Sequence, residues 1–146
     1  MRRRTFLLGG IAATGLAGGA VVAARARDRF DGATIAPADA LARARAGDLL
    51  LVDVRRPDEW AATGVPEGGH PLDMRRDDFE AALLALAAGD RDRAVALICA
   101  RGVRSDRVAA RLAAVGFTRV LDVSEGMLGS RAGPGWVARG LPTVRP

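Results

Sequence analysis

The chain has 146 residues, 49% of them hydrophobic, which is enough for one domain with an ordinary core and no need of disulfides; its single cysteine has no partner within the chain. The formal charge of +5 is carried entirely by arginines, and three of the 22 lie within the first 24 residues. The other 19 are interspersed with 17 acidic residues and few aromatics, which argues against a nucleic-acid-binding surface.

The first segment, residues 1–26, has the three-part pattern of a secretory signal. Three arginines at 2–4 precede an apolar stretch rich in Gly and Ala, which ends in small residues. Residues 3–7 (Arg-Arg-Thr-Phe-Leu) also resemble the twin-arginine export motif. We therefore expect an export signal or, if it is not cleaved, an N-terminal membrane anchor, followed by a linker over 27–33. Either outcome places the protein in the periplasm or another extracytoplasmic compartment, with membrane contact only through an uncleaved signal.

The remainder, residues 34–146, alternates strand and helix patterns and is predicted to be one domain. Continuous apolar runs predict buried strands over 49–54, 94–98 and 119–123. Helical patterns bounded by Pro or Gly predict helices over 37–46, 57–62, 77–88 and 104–114. A turn region is expected over 64–69, an irregular Gly-rich segment over 126–135 and a last helical turn over 136–139. Strands separated by helices predict an α/β fold with a parallel sheet covered on both faces.

The segment most suited to chemistry begins at Cys99, where the second predicted strand ends. Ligands of open α/β sheets bind at this edge, and a loop that runs into a helix can gather backbone N–H groups around an anion. Gly102 permits backbone angles that a side chain hinders, and Arg101 and Arg104 attract anions. We therefore predict that Cys99 is a nucleophile that carries a thiolate or persulfide. The predicted binding loop consists of Ala100, Arg101, Gly102, Val103, Arg104 and Ser105.

Three segments, in the right order, resemble the single-domain rhodanese family. Residues 99–105 fit its active-site loop Cys-x-x-Gly-x-Arg-Ser, and residues 51–60 (Leu-Val-Asp-Val-Arg-Arg-Pro-Asp-Glu-Trp) resemble its first signature. The Gly-Val-Pro-Glu-Gly turn at 64–68 is similar to the one that usually follows. The closing pattern is matched by Gly126, Trp136 and residues 140–142, although Glu125 replaces a glycine and residues 128–135 look longer than usual. The resemblance covers 34–146 and implies a rhodanese-like fold with a central parallel five-stranded sheet flanked by helices on both faces.

The resemblance also implies a sulfurtransferase without a cofactor. Cys99 would take a sulfane sulfur from a small anionic donor, thiosulfate or a persulfide, and pass it to a thiol or cyanide, or to a protein acceptor. By the same analogy, the backbone amides of 100–105 hold the persulfide and Arg101 steers the donor. Arg104 would either bind substrate or brace the loop against a carboxylate such as Asp53 or Glu59.

Other polar residues are given supporting roles. Asp53, Arg55 and Glu59 are expected to hold the conformation of the loop, and His70, the one histidine, to lie at a turn or strand edge. Trp60 and Trp136 are expected to be packing residues, with the mouth of the pocket as an alternative place for Trp136. The acidic residues lack metal-ligand spacing, so no metal site is predicted.

Two other functions remain open at this stage. One is a persulfide carrier or anion-binding module that serves a partner without turnover. The other is an oxyanion enzyme of the phosphatase or arsenate-reductase type, which uses a longer loop, Cys-x5-Arg. The spacing from Cys99 to Arg104 is Cys-x4-Arg, and this shorter loop favours sulfur chemistry.

Overall fold

The computed structural model describes residues 29–146. The predicted export signal over 1–26 and the first two residues of the predicted linker lie outside this part. Within residues 29–146, no helix has the length and apolar character needed to cross a membrane.

A five-stranded, wholly parallel sheet forms the centre, with the strand order β1-β6-β5-β2-β4. Its strands are β1 Ala33–Thr34, β2 Leu50–Asp53, β4 Gly69–Pro71, β5 Val95–Ile98 and β6 Val120–Asp122. A separate antiparallel pair joins β3 Val65–Pro66 to β7 Thr143–Val144. The predicted five-stranded parallel sheet is confirmed, and it brings the carboxyl ends of β2, β5 and β6 to one edge.

Helices cover both faces of this sheet. They are α1 Pro37–Ala46, α2 Pro57–Thr63, α3 Phe79–Leu86 and α4 Val103–Ala114. Apolar side chains of α3 and α4, such as Phe79 and Leu112, pack on one face, while α1 packs on the other together with Trp136. Because β2 and β5 contribute alternate residues to the two clusters, both strands need the continuous apolar runs seen in the sequence.

The sequence patterns miss four short strands, β1, β3, β4 and β7, and misplace the ends of one helix. The predicted turn region over 64–69 contains β3 and the start of β4. The strand β4 is a short edge strand whose polar residues give no apolar run, and its His70 is exposed opposite Val52 of β2. The helix predicted over 77–88 spans only Phe79–Leu86. Trp136 is fully buried, and the turn around it is closed by an N–H donated from Arg139 to the Gly135 carbonyl oxygen.

A buried ion pair stands where β2 ends. Asp53 and Arg55 are 0% and 1% exposed, and Arg55 donates from Nε and Nη2 to the two carboxylate oxygens at 2.9 and 2.7 Å. Its other guanidinium hydrogens reach Thr63 Oγ1 at 2.8 Å and the Gly64 carbonyl oxygen at 2.6 Å. Both charges are therefore compensated, and the pair ties the end of β2 to the end of α2.

We predict that Arg55→Ala lowers the free energy of unfolding by about 3–5 kcal/mol, because it leaves the buried Asp53 carboxylate without its partner. Arg75→Ala is the matched control: Arg75 pairs with Asp73 at the same two-residue spacing, but the Arg75 side chain is 62% exposed. The control should lose less than about 1 kcal/mol. Urea unfolding of both variants measures the difference, and equal losses would contradict the structural role given to Arg55.

Candidate active site

Cys99 is the residue immediately after β5, at the carboxyl edge of the sheet, and its side chain is 1% exposed. The four residues before it are fully buried, and Val54 of the neighbouring chain segment donates its N–H to the Ile98 carbonyl oxygen at 2.9 Å. The sheet therefore fixes the direction in which the chain leaves β5. The thiol is free, and the residues that follow form a tight loop leading into α4.

This loop lies directly against the backbone of the segment that follows β6. Met127 and Leu128 donate their N–H groups to the carbonyl oxygens of Cys99 and Ala100, both at 2.8 Å. A Cβ on Gly126 would stand 2.6 Å from the Ala100 carbonyl oxygen, so a side chain at 126 would separate the two segments. Gly102 has φ +81° and caps α4; a Cβ there would lie 2.3 Å from the Ser124 carbonyl oxygen. The loop thus depends on glycine on both sides of the contact.

The loop that follows the thiol contains hydrogen-bond donors without acceptors. Within residues 29–146, the backbone N–H groups of 100–105 donate to no acceptor, and the first N–H bond of α4 runs from Asp106 to the Gly102 carbonyl oxygen. The Ser105 hydroxyl is buried 3.4 Å from Cys99 Sγ and 3.2 Å from the Gly102 carbonyl oxygen. Free amides at the start of a helix, together with a hydroxyl on sulfur, suit the binding of an anion at Cys99.

Arg104 is engaged with Glu59. Its Nη1 and Nη2 donate to the two carboxylate oxygens of Glu59 at 2.7 and 2.6 Å, a bidentate pair that joins the first turns of α2 and α4. Glu59 also accepts the backbone N–H of Arg56 at the start of α2. The hydrogen bonds from Arg104 lower the pKa of the Glu59 carboxyl below its usual range. Of the two roles open to Arg104, the structure therefore has it in the bracing arrangement.

The other predicted site residues are not all near the thiol. Arg101 is exposed and forms no ion pair within residues 29–146, whereas Val103 is 59% exposed at the first position of α4. Asp53 and Arg55 lie at the end of β2, the strand next to β5, and bind each other. His70 is exposed on the edge strand, separated from β5 by β2. Within residues 29–146, no three His, Cys, Asp or Glu side chains are grouped as metal ligands would be.

Sequence reasoning missed Asp122, the last residue of β6. Asp122 is 3% exposed; its Oδ2 accepts the Ser124 hydroxyl at 2.7 Å, while its Oδ1 has no hydrogen-bond partner within the described part of the chain. Burial raises the pKa of this carboxyl, against the lowering effect of the Ser105 and Ser124 hydroxyls. The one signal in the sequence is that Asp122 lies near the end of the strand predicted over 119–123. Its pairing with Leu97, two residues before Cys99, comes from the structure.

The structure also explains why Glu125 stands where the family pattern has a glycine. Its carboxylate accepts Nε and Nη2 of Arg139, both at 2.7 Å, and the backbone N–H of Gly135 at 3.0 Å. The same arginine holds the pKa of Glu125 below its ordinary value. Glu125 therefore fastens the long segment over 128–135 to the end of the sheet.

Comparison with known proteins agrees with this geometry. Residues 36–132 match the family model of the rhodanese-like domain. A sulfurtransferase of Allochromatium vinosum is 31% identical over 103 residues, which cover 68% of this chain and 81% of that protein. The chain therefore belongs to the rhodanese-like family. Its fold agrees, since the parallel sheet carries a cysteine loop at its carboxyl edge.

Two solved structures share the fold. The polysulfide-sulfur transferase homodimer of Wolinella succinogenes is 28% identical, with a TM-score of 0.63 over 91% of this chain and 93% of that one. A protein of unknown function from Rhodopseudomonas palustris, described as a possible tyrosine phosphatase, has a TM-score of 0.57 over 92% of this chain and all of that one. It is 22% identical, so this second likeness shows the fold alone. The named sulfurtransferase relatives support a sulfurtransferase-type role.

The contact at Gly102 predicts a stability difference between two alanine variants. Gly102 and Gly89 have φ +81° and +80°, so the backbone strain of either substitution is similar, about 1–2 kcal/mol. Nothing lies within 4 Å of a Cβ at Gly89, whereas the one at Gly102 meets Ser124. Gly102→Ala should therefore lower the free energy of unfolding by roughly 1–3 kcal/mol more than Gly89→Ala. Urea denaturation tests this, and equal losses would show that the loop tolerates a side chain there.

Proposed function

We propose that the protein is a sulfurtransferase that moves a sulfane sulfur from an anionic donor, thiosulfate or a persulfide, through a Cys99 persulfide to a thiol or cyanide. The observation that carries this proposal is a buried thiol at the start of a loop whose six consecutive backbone N–H groups, 100–105, have no acceptor in the described part of the chain. The family and its sulfurtransferase relatives support it.

The first step of the proposed cycle loads the enzyme. The Cys99 thiolate attacks the outer sulfur of thiosulfate; the S–S bond of thiosulfate breaks, sulfite leaves with the bonding electron pair, and Cys99 becomes a persulfide. In the second step the acceptor attacks the outer sulfur of this persulfide, the S–S bond to Cys99 breaks, and the thiolate returns. On the enzyme, the negative charge stays on sulfur in both steps. Hydrogen-bond donors that do not have to transfer a proton therefore suit both steps.

Residues around the loop are given roles that follow from their contacts. The amides of 100–105 and the Ser105 hydroxyl would stabilise the thiolate and the persulfide. Arg101, exposed and without a carboxylate partner within residues 29–146, would attract the anionic donor. Arg104 would act as a positioning residue through Glu59. Because both Nη atoms of Arg104 are bound to that carboxylate, Arg104 is a poor candidate for the arginine of a phosphate cradle.

The test is intact mass together with turnover on the purified full-length chain. Thiosulfate alone should add one sulfur, about 32 Da, and thiosulfate with cyanide should release sulfite continuously. Cys99→Ser should abolish both, because a serine cannot form the persulfide, while its unfolding curve stays close to that of the parent.

Three other results would each contradict the proposal. A mass gain without sustained sulfite release would indicate a persulfide carrier. Cys99-dependent hydrolysis of an aryl phosphate, without any sulfur adduct, would indicate an oxyanion enzyme. No adduct from thiosulfate or from a panel of persulfides would indicate a binding module.

We also propose that residues 1–26 export the protein from the cytoplasm, on the strength of the twin-arginine pattern at 3–7. Cell fractionation of a C-terminally tagged full-length chain, in a bacterial host with this pathway, tests the proposal. The parent should appear outside the cytoplasm. A variant with Arg3→Lys and Arg4→Lys together should remain inside, and equal distribution of the two would overturn the assignment.

A further inference from the structure

Asp122 is a buried acidic residue at the end of β6 that the proposed cycle does not use. Its Oδ2 accepts the Ser124 hydroxyl at 2.7 Å, whereas its Oδ1 has no hydrogen-bond partner within residues 29–146. The other two buried acidic residues of this part of the chain, Asp53 and Glu125, each bind an arginine. Burying a carboxyl without a cation, and with one oxygen unpartnered, costs free energy and calls for an explanation.

The Ser105 hydroxyl is near both this carboxyl and the sulfur of Cys99. It lies 3.4 Å from Cys99 Sγ and 3.2 Å from the Gly102 carbonyl oxygen, and it is close enough to Asp122 to lower the pKa of that carboxyl. A hydroxyl has one hydrogen to donate, and three acceptors surround this one. The acceptor that receives the hydrogen determines how well a negative charge on sulfur is stabilised.

The charged groups around Asp122 come from several elements. Burial raises the pKa of the Asp122 carboxyl, and the like charge of Asp106 on α4 acts in the same direction. The sulfur of Cys99 faces it from the β5 side. Asp122 also lines a cavity beside the loop, whose other charged residues are exposed arginines that form no ion pair within residues 29–146: Arg29, Arg101, Arg107 and Arg131. Asp122 therefore ionises at a higher pH than an ordinary aspartate.

We propose that Asp122 is a positioning residue for the nucleophile, which decides whether the Ser105 hydroxyl donates to sulfur. The proposal rests on the sulfurtransferase function proposed above. When Asp122 is protonated, its Oδ1–H donates to Ser105 Oγ, and the Ser105 hydrogen remains for the thiolate or the persulfide. When Asp122 is ionised, its Oδ1 takes the Ser105 hydrogen, and a second negative charge stands near the sulfur. The two states differ by one proton exchanged with solvent, and no bond to sulfur changes.

Two substitutions of Asp122 separate the orientation of Ser105 from the removal of charge. A carboxyl ionises at a lower pH than a thiol, so in the parent the Cys99 thiolate forms beside an ionised Asp122. In Asp122→Asn the side chain is neutral and its amide group donates to Ser105 Oγ, as the protonated carboxyl does. In Asp122→Leu the side chain is also neutral but has no donor.

The first experiment titrates Cys99 in the full-length chain through the ultraviolet absorbance of its thiolate. The chain has one cysteine and no tyrosine, so the signal that remains after subtraction of Cys99→Ser belongs to Cys99 alone. Asp122→Asn should lower the pH of half-ionisation by about one unit, and Asp122→Leu by about half as much.

Asp106→Asn is the control for this titration. It removes a carboxylate that lines the same cavity, but one that is only half-buried and accepts no hydrogen bond within the described residues. Its pH of half-ionisation should move by less than about 0.3 units, because solvent screens the charge and no hydroxyl connects it to sulfur.

The second experiment repeats the titration with Ser105→Ala added to each variant. The difference between Asp122→Asn and Asp122→Leu should vanish, because the hydroxyl that the amide orients is gone. If urea unfolding shows that Asp122→Leu does not fold, the shift from parent to Asp122→Asn should fall to less than half once Ser105→Ala is present. A difference that persists without the hydroxyl, or equal values for Asn and Leu in its presence, would overturn the proposal.

The third experiment connects the titration to sulfur transfer. At a pH below all the measured midpoints, Asp122→Asn should form the persulfide from thiosulfate about threefold faster than the parent. A midpoint lower by about one unit gives about tenfold more thiolate, and the lower basicity of this sulfur offsets about threefold of that gain. Asp106→Asn should load within about twofold of the parent rate.

The failures of the two proposals are distinguishable, because the titration needs no sulfur donor. If Cys99 loads and turns over, but Asp122→Asn and Asp122→Leu titrate and load as the parent does, Asp122 is not a positioning residue and the sulfurtransferase function stands. If the midpoints shift as expected but no sulfur adduct ever forms on Cys99, the sulfurtransferase function is overturned, and the part given to Asp122 in sulfur transfer is overturned with it.

Discussion

The direct contact between two backbone segments, 99–102 after β5 and 124–128 after β6, determines the geometry of the site. No side chain separates them, because Gly102 approaches the carbonyl oxygen of Ser124 and Gly126 approaches that of Ala100. The two carbonyl groups after the thiol's strand are occupied by Met127 and Leu128. Two carbonyl groups of the loop are used in this way, while the N–H groups of 100–105 have no acceptor within residues 29–146 and can serve an anion.

Arginines serve two different purposes in this molecule, and their partners distinguish them. Arg55, Arg104 and Arg139 each hold a carboxylate in bidentate geometry, and each joins segments that meet at the site edge: β2 with α2, α2 with α4, and the end of the sheet with residues 135–139. Arg101 lies within the same region without a carboxylate partner in residues 29–146. Because the bracing arginines are already neutralised, an anionic ligand at the loop meets mainly the field of Arg101, which has no ion pair within the described residues.

The sequence predicts much of this because its strongest patterns coincide with the most constrained parts. The strands β2 and β5 are buried on both faces, so their apolar runs are unambiguous, and the loop from Cys99 to Ser105 follows from the strand end and the glycine. The edge strand β4 is missed because its residues are largely exposed and so do not form the apolar run by which a buried strand is recognised. Asp122 is missed because an acidic residue at a strand end resembles ordinary surface charge in the sequence. Only the register shows that it pairs with Leu97, two residues before Cys99. The long segment over 128–135 is irregular in sequence, and the contacts of Glu125 that fasten it are visible only in three dimensions.

The surroundings of Cys99 explain why a nucleophile at this position would not need a histidine as a general base. A general base next to sulfur would change charge as it takes and returns a proton, so it would favour one state of the cycle over the other. Backbone amides and the Ser105 hydroxyl carry fixed dipoles instead, and they respond to negative charge wherever it lies within their reach. When a thiolate becomes a persulfide, the charge moves outward by one S–S bond, about 2 Å. Several donors along one loop can serve both positions of the charge, whereas a single charged partner would be placed correctly for only one of the two sulfur atoms.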